Sequence, residues 1–149
     1  MTKGPLCGAW AGREMSQSIG FPVSSKENEN RRALLPSDVA AISDPGALFI
    51  ERGYGDVLGY PDADYAGAGA NIVSRDEALA QQIICDPKVG DATYIKDLSA
   101  GQTLFGWVHA VQNRELTDLM IGRKLTAIAW EDMFDSGRHV FWYNNELAG

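Results

Sequence analysis

The chain has 149 residues, enough for one domain with a sizeable core and too few for two ordinary domains. Hydrophobic residues make up 45% and charged residues 22%, as in soluble globular proteins. The net charge of −7 argues against nucleic acid or an anionic membrane as a partner, and no apolar run reaches the ~18 residues of a membrane span. Two cysteines and two histidines exclude a disulfide framework and a zinc site. No secretory signal pattern opens the chain, so we expect a cytoplasmic protein.

The first half of the sequence alternates short apolar runs with helical patterns. Residues 1–17 are rich in glycine and lack periodicity, which predicts a flexible tail before a domain at residues 18–149. Pro36 suits the first turn of a helix that runs to Ile42. Short strands are predicted at residues 19–23, 47–50 and 71–73, with a glycine-rich loop at 52–60 and a short helix at 61–68.

The second half continues this alternation. A capping box from Ser74 to Glu77 predicts the start of a helix. Strands are predicted at residues 82–85, 102–109 and 125–130, a helix at 114–121, and an irregular aromatic segment at 132–144, after which Asn144 or Asn145 could cap a new helix. This order indicates an α/β fold in which a mostly parallel sheet carries helices on both faces.

Polar residues with useful chemistry cluster in three loops that follow predicted strands. Because the carboxyl ends of parallel strands meet at one edge of a sheet, these loops can converge on one pocket. The first loop holds Lys26, Arg31 and Arg32, the second Asp86 and Lys88, and the third His109, Gln112 and Asn113.

Arginine, lysine and histidine together suit a small oxo acid. Arginine binds a carboxylate in bidentate geometry, lysine can hold or polarise a carbonyl oxygen, and histidine can transfer a proton near neutral pH. Other interpretations stay open. The arginines could form surface salt bridges with Glu27 and Glu29, Lys88 could be solvated, and His109 could be structural. Glu131 could be a partner of His109 or an ordinary loop acid, and we favour the second interpretation.

Several motifs resemble the N-terminal domain of the alanine dehydrogenase and nicotinamide nucleotide transhydrogenase family. They are Gly20-Phe21-Pro22, Lys26 to Glu29, Arg31, Pro36, Leu104 to His109, Ala129-Trp130-Glu131 and Asn145 to Gly149. The resemblance covers Ile19 to Gly149 and implies a Rossmann-like substrate domain that lacks the nucleotide fingerprint. It also implies that Arg31 binds the substrate carboxylate and that His109 is the catalytic acid–base residue.

Within this family, the segments IICDPKVGD and LFGWVHAVQNRELTD most resemble carboxyethylornithine synthases. These enzymes condense pyruvate with the side-chain amine of ornithine or lysine and reduce the imine with NADPH. Alanine dehydrogenases of the family carry a substrate-binding lysine in a Lys-Glu-Pro motif. The corresponding segment here is Cys85-Asp86-Pro87, so the lysine is missing and Cys85 stands in its place. We expect Lys88 to bind substrate in its place.

The resemblance also implies that NADPH binds mainly to a second, Rossmann-type domain that is absent from this chain. The chain alone would then be inactive, and it would form a homo-oligomer or pair with a nucleotide-binding domain. The alternative is a stand-alone, non-catalytic module that binds an oxo acid or a partner subunit. That alternative predicts an exposed apolar patch near Phe134 to Tyr143.

Overall fold

The computed structural model describes residues 17–148, so nearly all of the predicted tail at residues 1–17 lies outside the described residues. The strands are β1 (Ile19–Phe21), β2 (Leu48–Glu51), β3 (Asn71–Val73), β4 (Ile83–Cys85), β5 (Thr103–Gly106), β6 (Thr126–Ala129), β7 (Phe134–Asp135) and β8 (Arg138–His139). The helices are α1 (Pro36–Ala41), α2 (Asp62–Gly67), α3 (Arg75–Leu79), α4 (Arg114–Gly122) and α5 (Trp142–Ala148). None of the helices in this part of the chain is long and apolar enough to cross a membrane.

Six strands form one parallel sheet in the order β3-β2-β1-β4-β5-β6. The chain first moves outward from β1 to β2 and β3, and then returns to place β4 on the other side of β1. The loops after β1 and β4 therefore leave in opposite directions, which opens a crevice at the carboxyl edge of the sheet. The candidate residues of the first two loops border this crevice.

The sheet separates two hydrophobic clusters. Ile84 and Leu104 belong to one cluster, whereas their neighbours Cys85 and Phe105 belong to or pack against the other. Since successive strand residues point to opposite faces, the clusters lie on the two faces of the sheet. Helices α1 and α2 cover one face and α4 the other, with the buried residues Val39, Tyr65, Leu116 and Met120. The predicted α/β fold with helices on both faces is confirmed.

The structure corrects the prediction in three places. Strand β5 ends at Gly106, three residues before His109. The segment predicted as irregular contains the antiparallel pair β7–β8, and α5 begins at Trp142 rather than at a cap on Asn144 or Asn145. A two-residue strand pair is too short to leave a periodic pattern in the sequence, which is why the prediction missed it.

Candidate active site

Two cavities lie side by side at the carboxyl edge of the sheet. The aromatic cavity, of about 250 Å³, is lined by Arg31, Arg32, Ala33, Pro87, Trp107, Trp130 and Phe141. The lysine cavity, of about 430 Å³, is lined by Lys26, Lys88, Gly90, Asp91, Val108, His109, Gln112 and Asn113. Neighbouring residues of the loops after β4 and β5 line both of them, so the two cavities share a floor.

Asp86 lies buried beneath that floor, directly before Pro87 and Lys88, which line one cavity each. Its side chain is fully buried, Oδ1 accepts a hydrogen bond from the Lys88 backbone N–H at 2.8 Å, and Oδ2 accepts one from the Tyr94 hydroxyl at 2.9 Å. Burial raises the pKa of the Asp86 carboxyl, and these two hydrogen bonds offset part of that rise. A Cβ on Gly106 would lie 2.0 Å from the Asp86 carbonyl oxygen, so glycine is needed for β5 to approach this loop.

Arg31 lines the aromatic cavity and already holds a carboxylate. Its Nε and Nη2 donate to the two oxygens of Glu29 at 2.8 and 2.6 Å. This pairing lowers the pKa of Glu29 from 4.5 to about 2, with a smaller electrostatic contribution from Lys88. The salt-bridge interpretation of Arg31 is therefore confirmed. Arg31 still lines the aromatic cavity, but a ligand carboxylate would have to displace Glu29 to take the same fork.

Arg32 supports the loop. Its Nη1 donates to the backbone carbonyls of Glu29 and Arg31 at 3.2 and 2.9 Å, and its Nε donates to the carbonyl of Tyr54. Its guanidinium carbon also lies 5.4 Å from the centre of the Tyr54 ring. With these donors engaged by backbone, Arg32 holds the shape of the first loop beside Arg31.

His109 sits in a left-handed backbone conformation, with φ 53° and ψ 36°. Such a conformation costs about 1–3 kcal/mol for a residue other than glycine. The Glu131 carboxylate stabilises it, because it accepts the backbone N–H of Val108 at 3.1 Å and also that of His109. Glu131 Oε1 lies 3.8 Å from His109 Nδ1. Our preference for Glu131 as an ordinary loop acid was wrong, since Glu131 fixes the turn that carries the imidazole.

Aromatic rings surround the wall between the cavities. Trp107 stacks with His109 at a centroid distance of 6.1 Å, and its edge meets Trp130 at 6.0 Å. Trp130 stacks on Phe141 at 4.7 Å. Sequence reasoning did not single out these rings, although a cluster of aromatic residues after β6 was visible. Within residues 17–148, the buried Trp130 Nε1 has no hydrogen-bond acceptor, a cost of about 1–3 kcal/mol.

Lys88 and His109 line the same cavity, whereas Arg31 lines the neighbouring one. The structure thus brings two of the three predicted site residues together and places the third in the neighbouring cavity, which Pro87 and Trp107 also line. Gln112 and Asn113 also line the lysine cavity, and Asn113 Oδ1 accepts the Leu116 backbone N–H at 3.0 Å as the N-cap of α4. The predicted single pocket is therefore a pair of adjacent cavities.

Cys85, where the sequence comparison above expects the family lysine to be replaced, ends β4 and packs into a hydrophobic cluster. Burial raises the pKa of its thiol, so the neutral form is favoured. A thiol in that environment cannot replace a cationic substrate-binding side chain. The nearest ammonium along the chain belongs to Lys88, which lines the lysine cavity.

Comparison with known proteins identifies the family of the chain. The family model described as "Alanine dehydrogenase/PNT, N-terminal domain" matches residues 20–145. An alanine dehydrogenase of Lysinibacillus sphaericus is 37% identical over 117 residues, which cover 76% of this chain and 31% of that protein. Alanine dehydrogenase 2 of Staphylococcus aureus is 34% identical over 119 residues, again covering 76% and 31%.

Solved structures give the same result. An L-alanine dehydrogenase superposes with a TM-score of 0.71 and 32% identity, over 81% of this chain and 34% of that one. A transhydrogenase from Sinorhizobium meliloti, at 23% identity and a TM-score of 0.66, shares the fold over 77% of this chain and 35% of its own. The chain spans about a third of the length of these relatives. It belongs to the alanine dehydrogenase/PNT N-terminal domain family.

Proposed function

We propose that the chain is the substrate-binding domain of a carboxyethylornithine synthase-like oxidoreductase. The reaction would be the NADPH-dependent reductive condensation of pyruvate with the side-chain amine of ornithine or lysine. Arg31 would bind the pyruvate carboxylate, and His109 would protonate the oxygen that leaves as water when the imine forms. Lys88 would bind an anionic group of the substrate.

The observation that carries this proposal is the position of His109. Its side chain is 44% exposed, it lines the lysine cavity, and it stacks on the Trp107 ring, which lines the aromatic cavity. Glu131 holds the backbone turn, so the imidazole is placed without being buried. A proton donor between two cavities suits a reaction that joins two substrates.

The size of the lysine cavity favours an amino acid over ammonia as the amine substrate. A water molecule occupies about 30 Å³ in the liquid, and ammonia is of similar size. The lysine cavity, at about 430 Å³, has room for a much larger molecule. Its lysine, aspartate, glutamine and asparagine side chains also match the polar ends of an amino acid.

The residues of this chain do not fit the nicotinamide cofactor. The sequence contains no GxGxxG segment, and Gly67-Ala68-Gly69 ends a helix instead of beginning one. We therefore expect NADPH to bind to a second domain outside these 149 residues. The family resemblance also supports a cytoplasmic homo-oligomer, or a complex with a nucleotide-binding domain.

The test uses protein that carries both domains. We expect oxidation of NADPH, followed by its absorbance, when pyruvate and ornithine are present together and not when either is omitted. His109→Gln should abolish turnover while leaving pyruvate binding intact. Turnover with pyruvate and ammonia, but none with ornithine or lysine, would establish an alanine dehydrogenase instead.

A second candidate function is a non-catalytic module that binds a partner subunit. What supports it is the exposure of apolar side chains in this segment: Phe134 and Tyr143 are each 61% exposed, and Val140 and Trp142 are also exposed. Substitution of Phe134 and Tyr143 by serine would abolish partner binding if this candidate is correct, with oxo-acid binding unchanged. Sedimentation of the chain alone and with its partner would measure the effect.

A further inference from the structure

The lysine cavity contains more positive charge than its one carboxylate balances. Lys26 Nζ lies 2.8 Å from Asp91 Oδ2, and Lys88 Nζ lies 4.0 Å from the same oxygen. Both ammonium groups therefore face Asp91, and Lys88 also lowers the pKa of Glu29 through a weaker electrostatic interaction. Among the side chains that line the cavity, two lysines face one aspartate, a charge balance that would attract an anion.

Lys88 is less closely paired with Asp91 than Lys26 is. Its side chain is only 20% exposed, so water reaches the ammonium less freely than it reaches Lys26, which is 44% exposed. The 4.0 Å separation from Asp91 is too long for a hydrogen bond. A partly desolvated ammonium at that distance gains from a ligand oxygen that can approach it more closely.

The lysines and Arg31 line different cavities. Lys26, Lys88 and His109 line one cavity, and Arg31 lines the other together with Trp107. A carboxylate bound by the lysines would thus belong to a different group from a carboxylate bound by Arg31. If Arg31 holds the oxo acid, the second carboxylate belongs to the amine substrate.

We propose that Lys26 and Lys88 together bind the α-carboxylate of the amino-acid substrate, which orients its side-chain amine towards His109. This inference rests on the proposed function and adds Lys26 as a specificity-determining residue. Asp91 keeps the two ammonium groups close together and limits how tightly the carboxylate binds. The selected substrate class is an amino acid with a terminal amine, in preference to a simple diamine.

The experiment compares two amines that differ by one carboxylate. Calorimetry would measure binding of L-ornithine and of 1,4-diaminobutane to the chain and to K26Q, K88Q and D91N. Each lysine substitution should weaken ornithine binding by roughly three- to tenfold, the range between an exposed ion pair and a charged hydrogen bond. Binding of diaminobutane should stay within twofold.

The variant D91N distinguishes two roles for the lysines, ligand binding and a purely structural ion pair with Asp91. If the lysines bind ligand, removing their counter-ion should tighten ornithine binding several-fold. If they only stabilise the loop, D91N should weaken binding as K26Q does. The matched control is K124Q, because Lys124 is exposed in the turn before β6, at the opposite edge of the sheet. We expect K124Q to bind both amines as the unchanged chain does.

Three results would overturn the inference: no detectable ornithine binding, equal losses for ornithine and diaminobutane, or weaker ornithine binding in D91N. Pyruvate binding provides the separate check on the proposed function. If Arg31→Ala weakens pyruvate binding while the lysine variants leave ornithine unchanged, only the assignment of the lysines fails. If Arg31→Ala leaves pyruvate binding unchanged and the lysine variants leave ornithine binding unchanged, the proposed function fails as well.

Discussion

The aromatic and lysine cavities share a floor but differ in how they would recognise a ligand. Rings of Trp107, Trp130 and Phe141 line the aromatic cavity, and these rings pack on each other. The walls of the lysine cavity include ion-paired side chains, of which Lys26 and Asp91 are 44% and 46% exposed. A rigid apolar wall discriminates by shape and by excluding water, whereas exposed charges act through electrostatic attraction that salt weakens.

This difference predicts which substitutions affect both cavities and which affect one. A change at Asp86 should damage both, because the next two residues, Pro87 and Lys88, line one cavity each. A change in one wall should leave binding in the other cavity intact. The predicted effects below decrease from the floor to the exposed charges.

Asp86→Ala should have the largest effect. It leaves the Tyr94 hydroxyl and the Lys88 backbone N–H without an acceptor in a buried place. We expect a loss of about 2–4 kcal/mol in the free energy of unfolding, from two unsatisfied donors. Urea unfolding would measure it, with Asp97→Ala, at an exposed position, as the control. A loss below about 1 kcal/mol would show that the cavities do not depend on this floor.

Arg31→Ala should weaken pyruvate binding by about 1.5–3 kcal/mol, the range for hydrogen bonds to charged groups. Ornithine binding should change little, since Arg31 does not line the lysine cavity. Calorimetry with each ligand would separate the two effects. Arg123→Ala, at the exposed end of α4, is the matched control. Unchanged pyruvate affinity would remove Arg31 from the binding site.

Ionisation of Glu29 should make the free energy of unfolding depend on pH under acidic conditions. Its pKa is about 2 in the folded chain, against an ordinary value of 4.5. The ionised carboxylate therefore stabilises the fold above pH 4.5, and that stabilisation is lost as the pH falls towards 2. Because Arg31 is half exposed, we expect the Glu29–Arg31 pair to contribute only about 1 kcal/mol to the free energy of unfolding.

Unfolding by urea at a series of pH values would measure this contribution. Glu29→Gln should flatten the pH dependence between 4.5 and 2, and Glu27→Gln, at an exposed position, should not. A pH profile that is identical in Glu29→Gln and the unchanged chain would contradict the assigned pairing.

Salt should produce the smallest effect, and it should differ between the cavities. Raising the ionic strength from about 0.01 M to 1 M shortens the screening length from about 30 Å to 3 Å. We expect ornithine affinity to fall by about 0.2–1 kcal/mol, as for exposed ion pairs. Lys88→Gln should remove part of this salt dependence. Ornithine affinity that is independent of salt would show that the lysine cavity does not act through charge.

Much of the fold could be predicted because local patterns carry it. The capping box from Ser74 to Glu77 begins α3, Pro36 begins α1, and the short strand predicted at 71–73 matches β3. The β7–β8 pair was missed because two residues per strand give no periodicity. For the candidate site, the sequence predicted the residue types. It did not predict the division into two cavities, because that division depends on where Trp107 and Phe141 pack.

The sequence by itself determined the alternation of strands and helices, the family, and the presence of arginine, lysine and histidine in loops that follow strands. These features are local or lie in order along the chain, so pattern and motif suffice. Only the tertiary structure decided that Glu131 supports the turn at His109, that Asp91 is shared by Lys26 and Lys88, and that Arg31 lies in a separate cavity. Those relations join residues far apart in sequence, and packing of the loops against one another sets their distances.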